Sequence, residues 1–294
     1  MKFLTYKDGG YEILGVVSPD GRTVYSLPDI GLSFFNMNDL ISRISDADRK
    51  QILSFLKSPE GGEPYESIDK CSPIPRPAQD VICLGENFAA HTKEAGSYSS
   101  EAFGSEKKLP IYFSKRVGEA VPDGGGIPSH SDITERLDYE AELAVIIGKE
   151  AYKVSAEDAY DYVFGYTILN DISARDLQTG HKQWYLGKSL DGFTPIGPWI
   201  VTADEIPGRP AIRVRSYVNG ELRQDGNTDD FIFDIGYCIS ELSQGIRLLP
   251  GTIISMGTPA GVGMGFKPPK FLRSGDTVDC VIEGIGTLHN TIID

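Results

Sequence analysis

The stretch "DYEAELAVIIGK", residues 138–149, sets two glutamates one residue apart at the head of an apolar run. Leu143, Val145, Ile146 and Ile147 are strand-filling residues, and Gly148 closes the run. Alternate residues of a strand share a face, so Glu140 and Glu142 project side by side, about 7 Å apart along the chain. Ala144 and Ile146 continue that face and the opposite face is apolar, which points to burial on both sides. Two buried like charges are costly. Raised pKa values, nearby Lys or Arg, or a metal ion could offset the cost.

Outward from this strand the pattern is mostly β. "DVICLG" (80–85), "PIYFSK" (110–115) and "YDYVFGYTILND" (160–171) read as strands, the last ending in polar residues. "AIRVRSYVNGELRQ" (211–224) reads as a hairpin about Asn219-Gly220. "FIFDIGYCISELSQGIRLLPG" (231–251) holds one helix centred on 236–247, and "SGDTVDCVIEGIGTLHNTI" (274–292) gives two more strands. Strands do not alternate with long helices, which argues against a Rossmann fold or a TIM barrel. The expected class is α+β, predominantly mixed β.

Residues 1–70 read as a small α+β N-terminal domain. "YEILGVVS" and "RTVYSLP" flank a Pro19-Asp20-Gly21 turn, and "NMNDLISRISDADRKQILSFLK" (36–57) is helical. "CSPIPRPAQD" is proline-rich and extended, so a linker is expected over 71–79 and the main domain over 80–294. No apolar run has bilayer length, and "MKFLTYKDGGYEILGV" lacks a signal-peptide h-region, so a cytoplasmic location is expected. A net charge of −14 repels nucleic acid and anionic membranes, and neither is expected as a partner. Cys71, Cys83, Cys238 and Cys280 form no CxxC pair and read as buried reduced thiols.

Three further stretches bear on chemistry. In "LNDISARDLQ" (169–178), Asp171 stands where an apolar strand ends and a helix begins, as a helix cap or as a third carboxylate beside the glutamates. Three carboxylates suit a hard cation, Mg²⁺ or Mn²⁺. In "GENFAAHTKEAG" (85–96), His91 and Glu94 share a helix face, either as an exposed pair or as an oriented imidazole base. "GTPAGVGMG" (257–265) lacks the Lys-Ser/Thr of a phosphate loop and reads as a tight turn. His130, His181 and His289 have no acidic or Cys partner at ligand spacing and read as structural or exposed, and no GxSxG elbow is present.

"LDYEAELAVIIGK", "GYTILNDISARDLQ", "GKSLDGFTPIGPWI", "GTPAGVGMG" and a closing "GDTVDCVIEGIGTLHN" occur in this order. Together they resemble the fumarylacetoacetate hydrolase family over roughly residues 80–294. The resemblance implies a β-roll around a divalent cation, Mg²⁺ with Mn²⁺ or Ca²⁺ as alternatives, in a homodimer. It implies Glu140, Glu142 and Asp171 as metal ligands, leaving the site near −1 with the cation bound. It implies that Arg175, Gln178 and Lys188 contact substrate or support the metal, and that Thr258 binds a substrate carboxylate. It further implies that His91, oriented by Glu94, activates water on a lid hinged at glycines 85, 96 and 104.

Two departures narrow this. Phe88 stands where the family has Tyr. No Asp lies between Asp80 and His91, where the enzyme that names the family has an additional ligand. The chain thus resembles the acylpyruvate-hydrolase-like branch. The expected activity is Mg²⁺-dependent hydrolysis of a C–C bond in a β-diketo acid. The alternatives are oxaloacetate decarboxylation or another lyase or isomerase reaction on the same enolate, and a non-catalytic module stabilised by its metal.

Overall fold

The computed structural model describes residues 1–96 and 109–294. Gly104 lies outside the described residues. The fold is a sheet-dominated α+β structure built on two larger sheets. The larger centres on Ala141–Ile147, flanked by Val163–Asn170 and Ile253–Ser255. It continues one way through Ile196–Thr202 to the N-terminal strands, and the other way through Val81–Gly85 to Ile111–Lys115. The second sheet has five strands and includes Arg213–Val218, Glu221–Asn227, Thr277–Ile282 and Gly286–Ile293. Pairing is mostly antiparallel; Val81–Gly85 runs parallel to Ile253–Ser255.

Every residue of Ala141–Ile147 is buried. Ala141, Leu143, Val145 and Ile147 face a core shared with Val214, Val278, Cys280 and Leu288 of the second sheet. Ala144 and Ile146 face a different core, with Leu40, Ile41 and Ile52 of the N-terminal helices. Glu142 therefore stands on a strand covered on both sides, as its sequence pattern indicated. Burial on this scale, about 25 cal/mol per Å² of apolar surface, fixes the register and hence the position of the carboxylates.

Residues 1–70, expected as a small domain, supply those two helices and the strand Lys2–Asp8. That strand pairs with Ile196–Thr202, with Phe3 opposite Ile200, so the sheet crosses the expected boundary. The helical run expected over 36–57 divides into Met37–Arg43 and Asp46–Phe55. Ser45 causes the break: its extended backbone starts the second helix through a capping box with Asp48. The later helix is Ile235–Ser243, N-capped by Asp234. At the hairpin, Asn219 and Gly220 have φ of 50° and 77°, the left-handed pair a tight turn needs. All four cysteines are free and buried. Among the described residues no helix is long and apolar enough to cross a membrane.

Candidate active site

Antiparallel pairing brings the start of Ala141–Ile147 against the end of Val163–Asn170, with Ala141 opposite Asn170. The residues just beyond this pair are Glu140 and Asp171, and the Asp171 amide donates to the Glu140 carbonyl at 2.8 Å. One carboxylate oxygen from each of Glu140, Glu142 and Asp171 lies within 4.8 Å of the others, and all three residues are buried. An all-oxygen donor set of this kind fits a hard divalent cation.

Three buried cations meet these carboxylates. The Lys188 ammonium lies 2.7 Å from Glu140 Oε2 and 2.7 Å from Asp171 Oδ2. The Lys115 ammonium lies 2.6 Å from Asp171 Oδ1 and also donates to the Ile172 and Lys188 carbonyls. Arg175 sets Nη2 2.7 Å from Glu140 Oε1, Nε 2.9 Å from Asp138 Oδ2, and Nη1 3.0 Å from Gln178 Oε1. Arg175 therefore pairs across the site and not with its neighbour Asp176. The charge inferred for the site changes too. Three cations within the cluster offset three of its carboxylates, a compensation that the expected value near −1 did not include.

The two glutamates differ sharply. Burial raises the Glu140 carboxyl, but Lys188 and Arg175 outweigh it and hold the group well below its usual range. Burial pushes the Glu142 carboxyl well above its usual range, and the Asp171 and Glu140 carboxylates push it further. Glu142 Oε2 accepts from the Ser255 hydroxyl at 2.6 Å and the Gly257 amide at 2.9 Å.

His91 is on the helix Ala89–Gly96 and is 6% exposed, which excludes the exposed-pair reading. Its Nδ1 lies 3.1 Å from Glu94 Oε2. The Glu94 carboxylate accepts the Gly261 amide at 3.0 and 3.2 Å. Phe88, one of the departures, packs edge-on against Phe231 with ring centroids 4.9 Å apart. His91, Glu140, Glu142, Arg175, Lys188 and Thr258 line one narrow cavity, which Glu86, Gln178, Phe113 and Trp184 also border. The Thr258 hydroxyl is committed, donating to the Ala141 carbonyl at 2.9 Å and accepting from Gln224 at 2.7 Å.

The structure thus gathers all nine expected side chains at or beside one cavity. It adds Lys115 and Asp138, which the sequence reading passed over. Lys115 ends an apolar strand, a position that could have drawn attention; Asp138 heads the stretch that carries the glutamates. The glycine-rich segment is more than a turn: it donates amides to Glu142, Glu94 and Asp138. His289 does have an acidic partner: its Nδ1 lies 2.6 Å from Asp279 Oδ1, because the last two strands set these residues opposite each other. His130 Nε2 meets the Asp191 carbonyl at 2.8 Å.

A family model described as "Fumarylacetoacetate (FAA) hydrolase C-terminal" matches residues 80–293. The chain belongs to the fumarylacetoacetate hydrolase family. It is 42% identical over 306 residues to the oxaloacetate tautomerase YisK of Bacillus subtilis, covering 99% of this chain and 100% of that protein. Among solved structures it is similar to the fumarylacetoacetate hydrolase of Exiguobacterium antarcticum, with TM-score 0.82 and 36% identity over 100% of this chain and 99% of that one. The maleylpyruvate hydrolase of Sphingobium sp. SYK-6 matches with TM-score 0.78 and 30% identity over 100% and 99% of the two chains. Members of this family act on keto acids, and the acidic triad of this chain is the kind of site that such metal-dependent enzymes use.

Proposed function

We propose that this protein is a divalent-cation-dependent enzyme that interconverts the keto and enol forms of a short 2-keto diacid of the oxaloacetate kind. The observation that carries this reading is the convergence of a carboxylate-oriented histidine, two cations and a three-carboxylate site on one small cavity. The end-to-end similarity to an oxaloacetate tautomerase supports the choice of reaction. It favours the isomerase alternative of the sequence reading over hydrolysis.

Glu140, Glu142 and Asp171 would hold the cation, Mg²⁺ with Mn²⁺ or Ca²⁺ as alternatives. When bound, it supplies Lewis-acid polarisation of the substrate's oxygen atoms. Glu94 holds the His91 Nδ1 side, which leaves Nε2 as the base. Nε2 takes a proton from C3 of the keto acid. The C–H pair becomes the C2–C3 double bond, and the carbonyl pair moves onto the C2 oxygen. Lys188 faces that developing charge, and the proton returns to the oxygen to give the enol. Arg175 and Gln178 bind a substrate carboxylate. With its hydroxyl committed, Thr258 offers its backbone N–H.

A second reading, hydrolysis of a β-diketo acid, is favoured by the hydrolases among the structural relatives. There His91 would take its proton from water instead. We further propose that residues 80–294 form the catalytic domain, that residues 1–70 extend its sheet and cover one face of it across the 71–79 linker, and that the protein acts as a cytoplasmic homodimer. A proton NMR time course with oxaloacetate and with acetylpyruvate, each with Mg²⁺ and with EDTA and with a protein-free control, separates the reactions. Accelerated keto–enol exchange of oxaloacetate, lost with EDTA, is the expected result. Acetate and pyruvate formed from acetylpyruvate, with no such acceleration, would install the hydrolase reading.

A further inference from the structure

Asp138 is fully buried, was not among the expected site residues, and accepts four N–H groups. Its Oδ1 takes the Tyr139 amide at 2.9 Å and the Gly263 amide at 2.7 Å. Its Oδ2 takes the Met264 amide at 3.0 Å and Arg175 Nε at 2.9 Å. Each oxygen therefore faces two donors. A carboxylate satisfies all four; an amide would have to turn its NH₂ against two of them. The close approach needs glycine at 263, where a Cβ would stand 2.7 Å from Asp138 Oδ1.

The consequence falls on Arg175. Its guanidinium is held on three sides: Nε by Asp138, Nη1 by Gln178 and Nη2 by Glu140. Glu140 and Gln178 line the cavity, whereas Asp138 stands behind them, tied to the backbone amides of Gly263 and Met264. The segment that ties Asp138 also donates Gly261 to Glu94 and Gly257 to Glu142. One stretch of backbone, residues 257–264, thus sets the arginine, the histidine's orienting carboxylate and a cation ligand in one frame.

We infer that Asp138 is a positioning residue, which through the 257–264 backbone fixes the plane in which Arg175 presents its guanidinium to a substrate carboxylate. This rests on the proposed role of Arg175 in binding a keto diacid. A residue of this kind acts on substrate binding more than on proton transfer. Its removal, as for other partners that orient a site residue, costs about 10–100-fold.

The test is Asp138→Asn compared with Arg175→Lys and with the double variant. The expected result is a KM for oxaloacetate raised about 10–100-fold with kcat changed far less. The double variant should be no worse than Arg175→Lys alone. An ordinary loss of stability would lower the active fraction and leave KM unmoved. A second measurement needs no turnover. In ¹⁵N-labelled wild type, the Arg175 Nε–H, assigned by its loss in Arg175→Lys, should be protected from solvent exchange. Loss of that protection in Asp138→Asn is expected. A rapidly exchanging Arg175 Nε–H in the wild type, or an unchanged KM in a folded Asp138→Asn, would overturn the inference. Failure of every keto acid to turn over would instead sink the proposed function and leave the NMR result to decide the role of Asp138.

Discussion

Replacing Lys115 by methionine removes a buried positive charge while nearly keeping the volume of its stem. Asp171 would lose its partner at 2.6 Å and retain only Lys188, and two backbone carbonyls would lose their donor. Breaking one side of a buried ion pair costs about 3–5 kcal/mol, and the orphaned carbonyls overlap with that figure and do not add to it in full. For a chain of this length the loss corresponds to a fall in melting temperature on the order of 10 °C. A divalent cation at the carboxylates replaces the missing charge, so it should stabilise the variant more than the wild type. At 100 times its Kd a cation adds about 2.7 kcal/mol. The assay is calorimetric melting of both proteins in EDTA and across an Mg²⁺ titration. A variant that melts within about 2 °C of wild type in EDTA would refute the charge-balance argument. So would an Mg²⁺-induced shift no larger than the wild type's.

Other expectations follow from single contacts. Glu142→Gln keeps an oxygen for the Ser255 and Gly257 donors but loses the charge, so calorimetric Mg²⁺ affinity should fall at least about 10-fold with the fold intact. Glu94→Gln should lower kcat less than His91→Ala, which should cost about 100-fold or more, because the first weakens the base and the second removes it. Gly261→Ala places a Cβ 1.9 Å from the Arg223 carbonyl at a φ of +108°, so it should displace the amide that holds Glu94 and lower both stability and activity. Burial raises the Asp176 carboxyl, but the Thr134 hydroxyl and the Glu135 and Leu177 amides hold it below its usual range. Its contribution to stability is therefore present above the unfolded-state pKa and lost as pH falls through the lower folded-state value. Urea titrations should show Asp176→Ala about 1 kcal/mol less stable at neutral pH, with the gap closing in acid.

How much of this was legible in the sequence can be traced residue by residue. The glutamates were, because a period of two on an apolar run is a local signal and burial on both faces follows from it. Asp171 was half legible: its place at a strand end is local, but its meeting with Glu140 depends on antiparallel register. Lys115 could not be paired with Asp171 from the sequence, since two strands separate its strand from the glutamate strand in the sheet. Asp138 was in view and unread, because its partners at 263 and 264 arrive by tertiary folding. The glycine segment was read by its side chains, whereas its function here lies in backbone amides that no residue type announces. His289 illustrates the same point, since a hairpin register gave it Asp279. The break at Ser45 was a local signal in plain view, a Ser with an acidic residue three positions on.

The most direct test of the account is deuterium exchange at C3 of oxaloacetate, followed by proton NMR in D₂O with Mg²⁺, for wild type and His91→Ala against a protein-free control. Wild-type protein should speed loss of the C3 proton signal well beyond the metal-only rate, and His91→Ala should return it to that rate. Exchange that is no faster with wild type than without protein, or that persists in full in His91→Ala, would contradict the assignment of His91 as the base of a keto-acid enolisation.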